Sequence, residues 1–433
     1  MKRVLIITYY WPPTGGGGVQ RWLKFAKYLP EFGWKPVIYT PENPDFEITD
    51  QSLSKDVDRI AEVIRQPIWE PFGIYRKLLG KRATRKQGVV EKPGSSLLGS
   101  LSIWIRANLF IPDPRKFWIK PSVKYLIKYL SENPVDVIVT TGPPHSMHLI
   151  GLGIKKSLNI PWIADFRDPW SDWDVLDLLK ISASAREKHK KLEEQVFQYA
   201  DKVLTVSNRL GVKLASTGGI QVEVITNGYD EMDYNHDINH PDKFRISHLG
   251  LLNEGRNPSI LWKVLNEICN ENNSFSTDLE IYLAGTIGEQ VIEDIHSYDK
   301  LKSRSIIKGY ISHSEAMKQY SFSAMLLLLV NNTSNASWII PAKLFEYLHT
   351  GIPILAYGEK NSDANDILTS TGQLSFVEYS NESETKERLL EAYKEFKKTS
   401  RWEASKEAAK YSRRSLTMNL VSILEHMTQS SVS

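Results

Sequence analysis

Lys343 and Glu346 stand three residues apart in the run Pro341-Ala342-Lys343-Leu344-Phe345-Glu346-Tyr347-Leu348-His349-Thr350-Gly351. Pro341 suits a first helical turn and Gly351 the residue just past a helix end, so the run reads as one helix. Lys343, Glu346 and Thr350 then share a face, while Leu344, Phe345, Tyr347 and Leu348 supply the buried side. A cation and a carboxylate on one helix face are candidate ligand-binding groups. The same spacing also makes ordinary surface ion pairs, and spacing alone does not choose between them.

Near the amino terminus, Thr8 ends an apolar run and Tyr9-Tyr10-Trp11-Pro12-Pro13-Thr14 leads to four glycines, Gly15 to Gly18. Glycines at a helix start let a ligand approach the backbone, and the first amides favour an anion. A flexible connector is the plainer reading. A dinucleotide fingerprint fails on spacing, because its third glycine position falls on Gln20 or Arg21.

Three further groups follow probable strands. Thr141-Gly142-Pro143-Pro144-His145-Ser146 places a histidine at a strand end, where a structural role is the alternative. In Asp165-Phe166-Arg167-Asp168-Pro169-Trp170, Arg167 and Asp168 either bind an acceptor or pair with each other. Asp172-Trp173-Asp174 looks like a metal-binding Asp-x-Asp, but three-residue matches arise easily by chance, and no metal is expected. No Ser/His/Asp nucleophile arrangement and no zinc-ligand spacing is visible.

Positioning these groups needs strands and helices in alternation, the pattern of parallel βαβ units. Strands are expected at Val4–Thr8, Pro36–Tyr39, Val135–Thr140, Pro161–Asp165, Lys202–Val206 and Glu223–Thr226. A second series runs Phe244–Leu249, Leu279–Ala284, Ser305–Tyr310, Met325–Val330, Ile352–Tyr357 and Leu374–Val377. Helices are expected at Val19–Leu29, Ser184–Ala200, Ser383–Lys397 with Ser383 as N-cap, Ala404–Ser412 and Leu416–Met427. The expected fold is α/β, with two doubly wound Rossmann-like domains facing a central crevice. The first domain is expected at residues 1–238, with a basic and aromatic insertion at about 66–125. The second is expected at residues 239–433, with its closing helices.

The 433 residues suffice for two such cores, and 41% hydrophobic with 24% charged residues is ordinary globular composition. The lone Cys269 excludes an internal disulfide and a cysteine zinc site, in keeping with a reducing cytoplasm. The apolar start Val4-Leu5-Ile6-Ile7 is too short for a signal peptide and reads as a buried strand. Net charge is +3, yet residues 61–130 hold fourteen Lys or Arg against four acidic residues. Aromatic residues such as Trp69, Trp104, Phe117 and Trp118 interleave with these cations. An anionic membrane surface accounts for that mixture better than nucleic acid, for which no motif is present. A solvated basic face is the third reading.

The pattern Pro-x-Lys-x-x-Glu-Tyr-x-x-x-Gly-x-Pro-Ile from Pro341 resembles the donor-binding helix of family 4 retaining glycosyltransferases of the GT-B fold. The opening strand with its glycine loop is similar to the same family. So are Val224-Ile225-Thr226-Asn227-Gly228-Tyr229-Asp230 and His248-Leu249-Gly250, and the blocks keep their order along nearly the whole chain.

The resemblance implies that 1–238 is the acceptor-side domain and 239–433 the nucleotide-sugar-binding domain, in which Glu346 accepts hydrogen bonds from ribose hydroxyls. Lys343, with the helix-start amides at Ala342, would hold the diphosphate. Gly16 and Gly17 would lie against the donor, Tyr310 would contact the base, and His145 would sit near the donor sugar. Arg256 would be the second cation for the diphosphate. Two positions depart from the family: Trp338 stands where a second glutamate is common, and Leu251 where an arginine is.

The implied activity is metal-independent, retaining transfer of a sugar from a UDP- or GDP-sugar to a saccharide acceptor on a lipid, in surface-polysaccharide assembly. The nucleotide sugar is a substrate, and no cofactor is expected. The expected location is cytoplasmic, peripheral on the inner face of the membrane. The alternative is a GT-B-shaped nucleotide-sugar-binding protein without catalysis.

Overall fold

The computed structural model describes residues 1–45, 49–54, 57–71, 104–105, 107–172, 176, 179, 181–231, 241–331, 333, 335–398 and 402–430. Most of the basic insertion, most of the linker up to His240 and Asp174 lie outside the described residues. The chain divides into two compact units, Met1–Thr226 with Leu416–Ser433, and Asn227–Ser415.

The first unit carries a sheet of seven strands: β1 (Lys2–Ile7), β2 (Trp34–Pro41), β3 (Glu62–Gln66), β4 (Val137–Gly142), β5 (Trp162–Phe166), β6 (Lys202–Thr205) and β7 (Val222–Val224). Their order is β3-β2-β1-β4-β5-β6-β7, all parallel. Parallel strands covered on both faces need apolar runs rather than alternation. Val4, Leu5, Ile6 and Ile7 meet that need and are fully buried, with Ile6 in register between Ile38 and Val139. Strand order reverses between β1 and β4. In doubly wound sheets ligands bind beyond the carboxyl ends at that reversal, and here those ends lead into the glycine run and into Gly142–His145.

The second unit carries β8 (Phe244–Leu249), β9 (Leu279–Ala284), β10 (Ser305–Lys308), β11 (Met325–Leu329) and β12 (Ile354–Tyr357), in the parallel order β10-β9-β8-β11-β12. Its reversal lies between β8 and β11, whose ends lead to Gly250 and to Asn331. The expected α/β class with two doubly wound sheets is therefore the class the chain adopts.

Several elements differ from expectation. Edge strand β3 is additional, and Leu374–Val377 contributes only an isolated bridge from Val377 to Tyr357. Helix Glu382–Phe396 takes Asn381 rather than Ser383 as its N-cap, the Asn381 side chain accepting from the Glu384 amide at 3.1 Å. Residues Lys406–Tyr411 form a 3-10 segment. The last helix, Arg413–Ser430, returns to the first unit for most of its length, where Leu416, Leu420, Leu424 and Met427 join the core around Trp22 and Trp34. A boundary at 238/239 leaves that return out, because burial of this apolar stripe, not chain order, decides where the helix packs.

Candidate functional site

In the second unit, Gly250 follows β8 with φ +135° and Gly285 follows β9 with φ +122°. Both conformations favour glycine. A β-carbon on Gly285 would stand 2.3 Å from the Gly250 carbonyl oxygen, so the two loops touch backbone to backbone. Over the bare Gly250 lies the Lys343 ammonium, 2.1 Å from where a β-carbon would sit.

Lys343 is carried by α1 (Ala342–Thr350), whose N-cap Pro341 offers no side-chain cap and whose first turn has no acidic residue. The first-turn amides thus begin without a side-chain acceptor, and Ala342 is exposed there. Gly351 closes the helix in the left-handed conformation at φ 71°. Burial pushes the Lys343 ammonium down to about 8, with Glu346 opposing the shift and Arg256 adding to it. The side chain is half-buried and turned to Gly250, unlike the solvated ion pair that spacing allows.

Arg256 reaches the same place from the turn Glu254–Arg256, its Nε donating to the Asn331 side chain after β11. Burial lowers its pKa as well. His248, inside β8, meets the Leu327 carbonyl through Nδ1 at 2.9 Å, and burial, with the nearby Lys343 charge adding to it, depresses its pKa. Glu346 accepts a hydrogen bond from the Tyr320 hydroxyl at 3.1 Å. Tyr310, just past β10, is 78% exposed. Trp338 ends the short turn Ala336–Trp338 and is half-buried. This unit therefore brings Gly250, Arg256, Lys343 and Glu346 together, two cations and a carboxylate at one sheet reversal.

In the first unit, Gly16 has φ 87° and is the N-cap of helix Gly17–Tyr28, which has no side-chain cap and no acidic first-turn residue. A β-carbon on Gly17 would meet nothing within 4 Å. Arg167 holds this loop: its Nη1 donates to the Gly18 carbonyl at 2.9 Å, its Nε to Gly142 at 3.2 Å, and its Nη2 to Pro143. It thus braces backbone carbonyls and forms no ion pair with Asp168. Burial raises the Asp168 pKa, with the Arg167 charge acting against that shift.

His145 is 4% exposed and lies parallel to Trp170, ring centroids 4.9 Å apart. Burial and the neighbouring His148 hold it well below the usual histidine range, so it is neutral at pH 7. The Pro169 backbone favours the charged form slightly, yet neither ring nitrogen makes a hydrogen bond of normal geometry. Asp172 pairs with Lys213 at 2.9 Å. Among the described residues no group of three or more His, Cys, Asp or Glu is placed to hold a metal.

Sequence reasoning misses Asp165 and Arg21. They form a fully buried ion pair at 2.9 Å, to which Trp22 and Thr141 also donate, at 2.8 and 2.9 Å. Arg21 also donates to the carbonyls of Ile225 and Thr226. The available signal is a cation beside Trp22, on the apolar face of its helix.

Within the basic segment, Arg115 is unavailable to a partner, since it is buried against Glu70 at 3.0 Å and over the Tyr9 ring. Beside it the surface turns aromatic. Trp69 (54% exposed) meets Phe117 (41%) edge to face, and the Lys116 ammonium stands over Phe117 and Phe110. Among the described residues no helix is long and apolar enough to cross a membrane.

No protein-family model and no curated protein sequence matches the chain. Solved structures do match in shape. Sucrose-phosphate synthase from Thermosynechococcus elongatus aligns over 99% of this chain and 100% of its own, with TM-score 0.60 and 13% identity. A point mutant of S. aureus TarM in complex with Fondaparinux, alpha-GlcNAc-glycerol and UDP aligns over 98% and 100%, with TM-score 0.57 and 10% identity. The fold is GT-B. At such identities the likeness concerns fold alone. A putative UDP-N-acetylglucosamine 2-epimerase from Listeria monocytogenes aligns over 99% of this chain and 98% of its own, with TM-score 0.54 and 10% identity.

Proposed function

We propose that this protein is a retaining glycosyltransferase that moves a sugar from a UDP- or GDP-sugar to a saccharide acceptor. The observation that carries the reading is Lys343 seated on Gly250 beside Arg256, with Glu346 one helical turn further along. Departure of a nucleoside diphosphate builds negative charge on its phosphate oxygens, and pre-placed cations stabilise that charge most where water is excluded. Lys343 and Arg256 supply the charge, and the uncapped amides at Ala342 add partial charge along the helix axis. Glu346 binds the ribose hydroxyls, and Tyr310 offers its ring to the base.

In the first unit, Gly16 and Gly17 give the donor a backbone surface without side chains. Neutral His145 serves the donor sugar as a hydrogen-bonding group, not as a charge. Arg167 holds the loop's carbonyls, which leaves Asp168 as the acceptor-side group. Retention follows if the departing phosphate takes the acceptor's proton on the face it leaves, a step that needs neither metal nor cofactor.

The aromatic ridge at Trp69 and Phe117, within a strongly basic segment, supports peripheral attachment to an anionic membrane from the cytoplasmic side. There the acceptor is a lipid-linked saccharide of surface-polysaccharide assembly. A second reading is epimerisation of the nucleotide sugar, favoured by the shape shared with the putative Listeria epimerase.

The test is a thermal-shift screen against UDP- and GDP-sugars, since a ligand that binds the folded state raises its stability by mass action. Hits are then incubated with saccharide acceptors, and products are resolved by mass spectrometry and anomeric NMR. A new α-linked glycoside from an α-linked donor supports the proposal. An epimerised donor favours the second reading, binding without turnover indicates an inactive binding protein, and no binding to any nucleotide sugar refutes the proposal.

A further inference from the structure

Glu346 lies on α1, and what aims its carboxylate comes from elsewhere in the unit. Tyr320 is the last residue of the helix His313–Tyr320, which precedes α1 in the chain, and its phenol donates to Glu346 Oε2 at 3.1 Å. Only 2% of Tyr320 is exposed. Its ring meets Tyr347 edge to face, centroids 5.3 Å apart at 83°, and Tyr347, the residue after Glu346, is itself fully buried. Leu344, Phe345 and Tyr347 of α1 share one core cluster with Tyr320. One rigid side chain therefore grips α1 twice, at the Tyr347 ring and at the Glu346 carboxylate.

A glutamate on a helix surface samples several rotamers and must lose that freedom when it binds. A fixed hydrogen bond removes part of the cost beforehand, which is how preorganisation improves affinity. A carboxylate accepts up to about four hydrogen bonds, so one from a phenol does not close Glu346 to a diol. Two neighbouring hydroxyls need a carboxylate held in one plane, and a swinging one serves them less well.

We propose that Tyr320 is a positioning residue, fixing Glu346 so that the pair selects a nucleotide bearing a ribose 2′,3′-diol over one lacking it. This rests on the reading that Glu346 meets ribose. It adds that the selectivity depends on a phenol that does not itself touch the ligand.

Tyr320→Phe keeps the ring and its packing on Tyr347 and removes only the hydroxyl. Binding of UDP or GDP, whichever the wild type holds more tightly, and of the matching 2′,3′-dideoxynucleotide is measured by calorimetry. The proteins compared are wild type, Tyr320→Phe, Glu346→Ala and the double variant, each checked for an intact thermal transition. Tyr320→Phe should lower the ribo-over-dideoxy preference about 3- to 10-fold, the worth of one ordinary hydrogen bond, since the phenol only aims the carboxylate, with dideoxynucleotide affinity unchanged. The double variant should be no less selective than Glu346→Ala alone, because the phenol acts through the carboxylate. Equal weakening of both nucleotides by Tyr320→Phe, or an unchanged ratio while Glu346→Ala collapses it, makes Tyr320 a core residue only and overturns the proposal. If Glu346→Ala also preserves the ratio, the ribose reading of Glu346 falls first and takes this inference with it.

Discussion

Lys343 occupies the space that a side chain on Gly250 would need: the ammonium nitrogen lies 2.1 Å from the missing β-carbon. The lysine on α1 and the glycine after β8 are thus two halves of one feature. A substitution at Gly250 should act through Lys343 as well as through the backbone.

Gly250→Ala should therefore weaken nucleoside-diphosphate binding at least about tenfold by driving the ammonium off its seat. Residue 250 has φ +135°, so alanine also brings backbone strain of order 1–3 kcal/mol. Calorimetry gives the affinity and a thermal melt the strain. If affinity is retained in the folded variant, the position of Lys343 over Gly250 does not matter to binding.

Proton linkage gives the second prediction. Burial brings the Lys343 ammonium down to about 8, so it is mostly charged at pH 7 and mostly neutral at pH 9. A diphosphate prefers the charged form, and affinity should fall as pH rises through 8, approaching tenfold per unit beyond it. Near pH 8 binding should take up a proton, visible as a heat that varies with the buffer's ionisation enthalpy. For the ligand-free protein the sign reverses. Between pH 8 and the ordinary lysine value the unfolded chain holds more protons, so this residue adds stability as pH rises. Lys343→Met should accordingly melt higher than wild type at pH 7, by roughly 1–3 kcal/mol, while losing diphosphate affinity. A flat affinity profile from pH 7 to 9 would remove Lys343 from the site.

The Arg21–Asp165 pair gives a stability prediction in the first unit. Both side chains are fully buried, and the Arg21 guanidinium keeps the Asp165 pKa low against the opposing effect of burial. Removing one member leaves the other charge uncompensated, at a cost of about 3–5 kcal/mol. Asp165→Ala should show that loss in denaturant melts. A change under about 1 kcal/mol would mean that water or another group takes over.

Sequence pattern resolves some of these features and not others, for physical reasons. Strands β8 and β9 are legible to the residue, because Phe244–Leu249 and Leu279–Ala284 carry apolar residues at alternate positions and each ends at a glycine. Edge strand β3 is not, since Glu62-Val63-Ile64-Arg65-Gln66 is only partly buried and carries charges at Glu62 and Arg65. Leu374–Val377 has the composition of a strand, but Leu374 is exposed and only Val377 reaches a partner. Lys343 and Glu346 stand out through their helix and its resemblance. Contacts made between distant segments, Lys343 with Gly250 and Tyr320 with Glu346, leave no local pattern. Arg167 shows the same limit: its neighbour Asp168 invites an ion pair, while the fold turns its guanidinium to three carbonyls.

Metal independence follows from the proposed chemistry, in which Lys343 and Arg256 meet the leaving diphosphate. Turnover should persist in excess EDTA. Loss of activity that manganese or magnesium restores would return Asp172 and Asp174 to consideration, despite the Asp172 ion pair with Lys213.

The final prediction concerns the membrane and rests on charge and exposed aromatic surface. Fourteen Lys or Arg against four acidic residues in 61–130 make that segment strongly positive in a chain whose net charge is only +3. Arg115 must be subtracted, being buried against Glu70. Basic residues near an anionic bilayer contribute roughly 1 kcal/mol each, and only those on one side can reach it. Trp69 and Phe117, about half exposed and in contact with each other, supply a site for insertion at the lipid interface. Co-sedimentation with phosphatidylserine vesicles should fall steeply between low and physiological salt, where screening shortens the electrostatic reach to about 8 Å. Replacing Lys77, Lys81, Arg82, Arg85 and Lys86 with glutamine should weaken binding and its salt dependence together. Trp69→Ala with Phe117→Ala should weaken it at every salt concentration, because apolar burial is not screened. Neither set should alter nucleotide affinity, which is proposed to reside in the second unit. If the wild-type protein stays in the supernatant with anionic vesicles at low salt, the segment is a solvated basic face and the acceptor need not be lipid-linked.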